Sequence, residues 1–506
     1  MSVQSLKTNN QVRANFLNAI KNKKIWIILL LVNVFGLPYA ILQLGVFSEG
    51  SIFSLCISAF ALVVNVIMGM VIPFLQFDYC YDRTKVDMAY SLPLTRRQKF
   101  LSDFFSGLSM YVGAYLIQIL LTYLSTTITI AIGNPTNSLN YYFYRLHQMS
   151  NLELYQMVSK ILLIILLMQI MLYVVTTFVL SCTGAIFEAV SAIIYTNILL
   201  ASTIYVIYTL CANQLFGMDF SNVLAQLLYH TSPLGGFFYL FLDGVTRANI
   251  SGWAIGYVIM IGIYFLLTYF IMTRRKAESV GKPFVVRSFY HIILVSIMLH
   301  IGLLACYTGN SLVTFILMTL IFYLVVETIT NRGFKKFGKS LARYGIIIAC
   351  TLAVILTINK TACFGIAYQV ADVSDVDQIA LSYSGLFANQ YFRNIKITSK
   401  DSIATLLEVQ QDVIDEYKAR KGQETSGIFD WRVGNVSYHN SYVSSGLQIK
   451  VEGKENYFRY YNISYQNMLR LVDVELSDEY VDARIESYLD DAGFLSVADI
   501  FGFKEI

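Results

Sequence analysis

The chain has few charged residues. Asp, Glu, Lys and Arg together make up 14% of its 506 residues, and hydrophobic residues make up 56%. Soluble domains carry about 25% charged residues. A composition this apolar excludes an ordinary soluble protein and predicts that most of the chain lies in a membrane.

Cysteine and histidine do not occur in the patterns of a disulfide framework or a metal site. The seven cysteines include no Cys-x-x-Cys pair, and four of them lie inside apolar runs, where a cysteine usually serves as a small core residue. The whole chain has five histidines. We therefore expect no disulfide framework, no zinc site and no cofactor.

Carboxylates are almost absent from the apolar runs. The ionisable residues within or at the ends of these runs are Glu188, His291, His300 and Glu327. Ion-driven carriers place such groups deep in the helix bundle, whereas both glutamates lie near run ends, where an interfacial position is expected. The deepest group, His300, is more often a hydrogen-bonded packing residue than a proton relay. An ion-coupled carrier is therefore disfavoured, and energy for any transport should come from a partner.

Nine apolar runs approach the roughly 20 residues that a membrane-spanning helix needs. The last has only 15 residues and can span only if residues 340–343 extend its helix. The runs are 25–47, 52–77, 105–132, 157–182, 185–210, 253–272, 289–306, 312–327 and 344–358.

Basic residues predict the orientation of these spans. Of the 24 Lys and Arg before residue 362, 20 lie in four segments that alternate to one side: the N-terminal tail and the loops after spans two, six and eight. Basic loops face the cytoplasm, so the N-terminus is predicted there. After an odd number of spans, the C-terminal domain is predicted on the outer side.

The last 145 residues differ in charge from the rest. Residues 1–361 hold 24 Lys and Arg against 11 Asp and Glu, a net of +13, and residues 362–506 hold 13 against 22, a net of −9. The stretch "SIATLLEVQQDVIDEYKARK" has helical periodicity with Asp401 as its expected N-cap. The stretch "GLQIKVEGKENYFRYYNIS" predicts a β-hairpin. Residues 362–506 are therefore predicted to form a small α+β domain.

The segment "GFKKFGKS", residues 333–340, matches the Walker A pattern for phosphate binding. A P-loop requires a strand before it and a helix after it. This segment lies in a short loop between two predicted spans, where a basic anchor facing anionic lipid is expected instead. The match therefore does not indicate an ATPase, and we predict that the chain is not an enzyme.

The polar loop after span two contains a helix-start signal. In "SLPLTRRQKF", Thr95 and Gln98 have the spacing of a capping box, and Pro93 favours an extended Leu92. A helix is therefore predicted to begin at about Arg96 and to continue into span three. The residues alone leave two interpretations, an ordinary positive-inside loop or a stiff lever whose displacement moves the span.

Four segments resemble permease subunits of type-2 ABC exporters. "KVDMAYSLPLTRRQKFLSDFFSGL" is similar to their loop between spans two and three, and "RRKAESVGKPFVVR", residues 274–287, is similar to a segment after span six in a Gram-positive branch. "NNQVRANFLNAIKNKK" resembles their N-terminal amphipathic helix, and "HTSPLGG" resembles a re-entrant segment before span six. The resemblance covers roughly the first 285 residues; three further spans and the C-terminal domain extend the minimal pattern.

The resemblance implies an architecture and a set of partners. The expected fold is a membrane α-helical protein with a cytoplasmic amphipathic segment (1–24), a six-span ABC exporter permease core (25–285), three additional spans (286–361) and a small extracytoplasmic α+β domain (362–506). The expected partners are a cytoplasmic ABC ATPase subunit, a second permease subunit of the same or a related kind, and the lipid bilayer of the cell membrane. No nucleic-acid partner is expected.

The resemblance also implies a site at which ATPase movement is received. Leu92, Pro93 and Leu94 would enter an apolar groove of the ATPase, and nearby cations would pair with acids on its surface. The full set of predicted coupling residues is Tyr90, Leu92, Pro93, Leu94, Thr95, Arg96, Arg97 and Lys99.

The exported substrate would be of an unspecified kind, with an amphipathic peptide or a lipid-like molecule favoured by the external domain and the aromatic core. The alternative is a membrane receptor or immunity protein whose external domain recognises a peptide or envelope component. An ATP-binding protein encoded nearby would favour the exporter, and an adjacent histidine kinase alone would favour the receptor.

Overall fold

The computed structural model describes most of the chain in separate stretches. The described residues are 11–17, 20, 25–35, 52–132, 151–212, 217, 227–236, 250–309, 312–330, 333, 337–361, 364–384, 395–423, 445–454 and 456–491. By internal contacts the chain divides into two compact units, residues 1–204 with 225–297, and residues 205–224 with 298–506.

Helices dominate the described residues before the C-terminal domain. They are α1 Ile25–Phe35, α2 Ile52–Gln76, α3 Arg83–Ser91, α4 Arg96–Ile132, α5 Asn151–Cys182, α6 Ile186–Ile194, α7 Ser202–Ala212, α8 Ile250–Arg274, α9 Arg287–Gly309, α10 Leu312–Thr330 and α11 Phe337–Thr361. A π-helical turn, Tyr195–Leu199, lies between α6 and α7. The described part of each of the nine apolar runs is mostly helical, with the run 185–210 interrupted by a turn at Leu200 and Ala201; residues 36–47 of the first run lie outside the described residues.

Several of these helices are long and apolar enough to cross a membrane. Four qualify by length and composition: Arg96–Ile128, Asn151–Cys182, Ser251–Arg274 and Phe337–Val354. Shorter apolar helices are Phe60–Gln76, Ile186–Leu199, Arg287–Gly302 and Val313–Thr328. The expected helical membrane protein is confirmed at this level. The predicted extension of the ninth run is also present, since α11 begins at Phe337.

The first unit is built around α5, which packs against α2, α4 and α8. Tyrosine hydroxyls tie the helices together at buried points: Tyr173 Oη donates to the Phe104 carbonyl over 2.8 Å, and Tyr111 Oη donates to the Asn65 carbonyl over 2.6 Å. Gly107 permits the first contact, because a Cβ there would overlap the Tyr173 hydroxyl. Buried aromatic rings with satisfied polar tips thus fix the helix packing.

The second unit contains the helix pair α10 and α11. Glu327, near the end of α10, accepts a hydrogen bond from Ser340 Oγ at 3.0 Å and pairs with Arg343 at 3.4 Å. Its carboxylate is buried, because α11 covers the side chain and supplies its partners; the expected interfacial position stays a prediction. The described element before residues 333–340 is the helix α10, whereas a P-loop requires a strand there.

The C-terminal domain in the second unit is an antiparallel sheet with three helices. Its elements are β1 Val376–Ser384, β2 Ile395–Ile397, α12 Lys400–Gln423, β3 Ser445–Gly453, β4 Tyr457–Ile463, α13 Tyr465–Glu475 and α14 Asp478–Asp491. The strand order is β2-β1-β3-β4. The mixture of strands and helices, the helix within 400–423 and the β3–β4 hairpin are present as predicted; the boundary of a separate domain at residue 362 stays a prediction.

One detail of the domain prediction is wrong. Asp401 lies in the first turn of α12 instead of capping it, because the helix begins one residue earlier, at Lys400. A residue of another helix binds the backbone just before α12. Glu479 Oε1, in α14, accepts hydrogen bonds from the amides of Thr398 at 2.6 Å and Ser399 at 3.0 Å. A carboxylate at a helix N-terminus is favourable whichever segment supplies it.

Candidate coupling site at the start of helix α4

The polar loop after α2 contains a short helix that the sequence analysis missed. Asp82 caps α3 by accepting a hydrogen bond from the Thr84 amide at 2.9 Å. Hydrogen bonds from the Thr84 side chain and amide hold the pKa of the Asp82 carboxyl below its usual value. The Asp before nine residues free of Gly and Pro was the available signal. The loop is therefore a helix–turn–helix segment and not an irregular connection.

The turn between α3 and α4 has the predicted form. Leu92 is extended, with φ −66° and ψ 141°, as a residue before proline should be. The Leu94 amide donates to the Leu92 carbonyl over 2.7 Å, closing a three-residue turn around Pro93. This turn separates the two helices, and Leu92 lies exposed within it.

The capping box at the start of α4 is confirmed. The Thr95 amide donates to Gln98 Oε1 at 3.1 Å, and the Gln98 amide donates to Thr95 Oγ1 at 3.3 Å. Helix α4 then continues for 37 residues. At 1.5 Å per residue it is about 55 Å long, well beyond the roughly 30 Å of a bilayer core. One rigid helix therefore joins the exposed turn to an apolar stretch.

The predicted coupling residues share this turn but differ in exposure. Leu92 is 41% exposed, and Pro93, Thr95, Arg96 and Arg97 are also exposed, whereas Tyr90, Leu94 and Lys99 are half-buried. Met88, 75% exposed in α3, adds an apolar side chain that the sequence analysis did not select. The surface offered to a partner is apolar at Met88, Leu92 and Pro93 and cationic at Arg97.

Lys99 has partners within the chain. Its ammonium lies 3.0 Å from the carboxylate of Asp103, one turn along α4, and 5.2 Å from the centre of the Tyr79 ring. Asp103 is 2% exposed and also accepts a hydrogen bond from Asn15 Nδ2 at 3.0 Å. Residues 11–17 are helical, so a helix of the N-terminal segment is tied to the base of α4 through this buried carboxylate.

Arg275, which directly follows α8, is the second buried charge of the site. It is 4% exposed. Nη1 donates to the carbonyls of Leu180 at 2.9 Å and Ser181 at 3.2 Å, and Nη2 donates to the Cys80 carbonyl at 2.9 Å. The first two carbonyls belong to the last turn of α5, where helix carbonyls lack intrahelical partners and a cation is favoured. In the sequence Arg275 stands out only as one of five basic residues of a loop and as part of the resembling segment 274–287, and neither reveals its burial.

The two loops that carry the family resemblance meet at this residue. Arg96 Nη1 donates to the Arg275 carbonyl at 3.2 Å. The following loop pairs with the segment after α5, where the Gly281 amide donates to the Gly184 carbonyl at 2.7 Å and the Val285 amide donates to the Cys182 carbonyl at 2.8 Å. Segments far apart in the sequence therefore form one connected structure at this end of the first unit.

The helices of the first unit also bury a chain of amides that the sequence analysis did not find. Asn65 Nδ2 donates to Asn33 Oδ1 at 2.6 Å, and Gln169 Nε2 donates to Asn65 Oδ1 at 3.1 Å, joining α1, α2 and α5. Uncharged amides inside apolar runs give no periodic signal, because neighbouring helices must be known before their pairing can be seen. Within the described ranges, no three His, Cys, Asp or Glu side chains are grouped as metal ligands would be.

Comparison with known proteins does not identify the chain. No protein-family model matches it, and neither a curated protein nor a solved structure matches it at a significant level. The four resembling segments and the geometry of the site therefore remain the grounds on which a function can be proposed.

Proposed function

We propose that the chain is the membrane permease subunit of an ABC exporter and receives the movement of a separate ATPase at the turn between α3 and α4. The observation that carries the proposal is the capped, uninterrupted helix α4, which begins at an exposed apolar and cationic turn. Force on a helix end is passed along the helix, whereas an irregular loop would absorb it. The turn thus has the mechanical property that a coupling site needs.

The exposed side chains suit an acidic partner with an apolar groove. Leu92 and Pro93 stand at the tip of the turn, and Arg97 is exposed one residue into α4. Among the described residues none bonds to Arg97, so its guanidinium can pair with a carboxylate of the ATPase. Lys99 contributes indirectly, because its bond to Asp103 fixes the first turn of α4.

The proposal includes a membrane topology of nine spans, with the N-terminus in the cytoplasm and the C-terminal domain outside. The positive-inside count supports it. A contact within the second unit supports the position of the domain: the Tyr460 amide of β4 donates to the carbonyl of Gly217, five residues beyond α7, over 2.9 Å. This contact is what the proposed topology requires, because it puts the segment after the fifth span and the C-terminal domain on the same side of the membrane.

Two substitutions at the turn test the proposal, one that reverses a charge and one that introduces a charge. We expect Arg97→Glu and Leu92→Asp each to abolish co-purification of an ABC ATPase subunit with the chain, because one introduces repulsion and the other puts a charge into an apolar contact. Membrane insertion should be unchanged, since both side chains are exposed. Pull-down from detergent-solubilised membranes measures the effect.

Lys339→Glu is the matched control. It reverses an exposed charge that is predicted on the same side of the membrane but lies outside the coupling turn. The complex should survive this change. If the ATPase subunit does not co-purify with the unmodified chain, or if both turn variants retain it, the coupling function is wrong, and the receptor interpretation gains support.

A further inference from the structure

Arg275 links the exposed turn to the end of the central helix by an unbroken series of hydrogen bonds. Its backbone carbonyl accepts from Arg96, the first residue of α4. Its side chain donates to Leu180 and Ser181 in the last turn of α5 and to Cys80, which follows α2. One residue therefore contacts the start of α4, the 3-10 turn Asp78–Cys80 that follows α2, and the ends of α5 and α8.

We propose that Arg275 is the positioning residue through which movement of the turn between α3 and α4 reaches helix α5. The inference rests on the proposed coupling function and adds the internal route from the docking surface to the helix core. Arg275 itself is buried and would not touch the ATPase.

The chemistry of the side chain suits this role. A guanidinium is a planar fork with a fixed set of donors, so it holds several acceptors in one geometry, whereas a lysine ammonium at the end of a flexible stem does not. The three acceptors are backbone carbonyls, which cannot rotate independently of their segments. A buried cation that loses such partners is strongly destabilised. The segments therefore move with Arg275 instead of sliding past it.

The loop after Arg275 makes further backbone contacts with the same end of α5. Gly184, two residues beyond α5, lies so close to this loop that a Cβ would overlap the carbonyl oxygens of Ser279 and Lys282. The backbone pairing of Gly281 with Gly184 and of Val285 with Cys182 completes the contact. A displacement of Arg275 must then carry the end of α5 with it.

A purely structural role would produce the same contacts. Arg275 would then cap α5 and stabilise the fold without transmitting nucleotide-driven movement. The two roles differ in one measurable respect: only transmission makes the response of α5 to nucleotide depend on the guanidinium.

Hydrogen–deuterium exchange of the assembled complex distinguishes them. The complex of chain and ATP-binding subunit is compared without nucleotide and with ATP plus vanadate, which traps the ATPase. In the unmodified complex we expect changed deuterium uptake both in residues 90–98, at the docking surface, and in residues 178–186, at the end of α5. In Arg275→Lys the change at 90–98 should persist and the change at 178–186 should be lost.

Arg274→Lys is the matched control, because Arg274 is adjacent but exposed, with its guanidinium over the Phe270 ring at 5.4 Å. It should respond like the unmodified complex. If Arg275→Lys keeps the response at 178–186, Arg275 is only a cap and the inference is wrong. If the unmodified complex shows no response even at 90–98, the proposed function fails and the inference fails with it.

A second pair of variants decides the matter if Arg275→Lys does not fold. Arg96→Gln and Arg83→Gln each remove one exposed cation from the polar segment between α2 and α4, but only Arg96→Gln removes the bond to the Arg275 carbonyl. We expect loss of the response at 178–186 in Arg96→Gln alone. Equal responses in the two variants would overturn the inference.

Discussion

Two charged residues of this chain are buried, although the residues next to them in the sequence give no sign of it. Arg275 and Asp103 stand in basic, polar stretches that a charge count assigns to the membrane surface. Both are buried, one against backbone carbonyls and the other against Lys99 and Asn15. The hydrogen-bond partners of both residues come from segments distant in sequence. A single sequence does not show which distant segments meet, so the burial of these two charges could not be predicted.

Glu479 provides a test of pH dependence at the scale of the single residue. Burial raises the pKa of its carboxyl, but hydrogen bonds from Thr398 and Ser399 outweigh burial and lower it. A carboxyl with a lowered folded-state pKa stabilises the fold above its ordinary pKa of about 4.3, and the stabilisation is lost as pH falls through the folded-state value. Glu479→Gln should therefore lower the thermal midpoint at pH 7, by the equivalent of about 1 kcal/mol.

The difference between Glu479→Gln and the unmodified chain should shrink at pH 3.5. Differential scanning fluorimetry of the detergent-solubilised chain measures both midpoints. Asp482→Asn, an exposed change on the same helix, should have little effect at either pH. A difference that is the same at both pH values would contradict the assigned hydrogen bonds.

At the scale of the element, the sequence patterns predicted structure correctly where the pattern depends on residues close in sequence. The capping box at Thr95 and Gln98, the extended Leu92, the β3–β4 hairpin and the nine apolar runs each depend on residues close in sequence, and each is present. Helix α3, strands β1 and β2 and the N-terminal limit of α12 were missed or misplaced. The central strand β1 pairs directly with β3, although helix α12 lies between them in the sequence. The position of β1 in the sheet therefore depends on a long-range pairing that local sequence patterns do not show.

Strand β4 lies at the edge of the sheet, and the amide of Tyr460 on its outer side donates a hydrogen bond to the carbonyl of Gly217. Gly217 has φ +70°, and a Cβ there would overlap the Tyr461 ring. Gly217→Ala should therefore break the bond from the Tyr460 amide and speed deuterium uptake in residues 457–463, because both backbone strain and steric overlap oppose the contact.

Gly365→Ala separates these two causes. Gly365 has φ +86° but a Cβ there meets no described atom within 4 Å, so this variant introduces strain without overlap. Uptake in 457–463 should stay close to that of the unmodified chain. Equal acceleration by both variants would show that Gly217 does not hold the strand edge.

At the scale of the whole molecule, composition predicted the class correctly, and the charge count predicts an orientation that can be measured in cells. Lys454 and Lys85 both have exposed side chains, 76% and 53% respectively, in the C-terminal domain and in the loop after α2. A membrane-impermeant maleimide should label Lys454→Cys in intact cells and Lys85→Cys only after permeabilisation.

The unmodified chain, with its native cysteines alone, sets the background of this labelling. Labelling of both positions in intact cells, or of neither, would exclude the proposed topology. Protection of Lys454→Cys together with labelling of Lys85→Cys would show that the chain is inserted the other way round.

The contact between Gly217 and β4 also bears on how the chain is made. Gly217 is synthesised long before Tyr460, so its carbonyl acceptor already exists when the last strand emerges from the ribosome. An unpaired strand edge is a common site of unwanted association. In this chain the Tyr460 amide of that edge is paired with the carbonyl of a residue synthesised earlier, so this position of the edge is not open to pairing with a second copy.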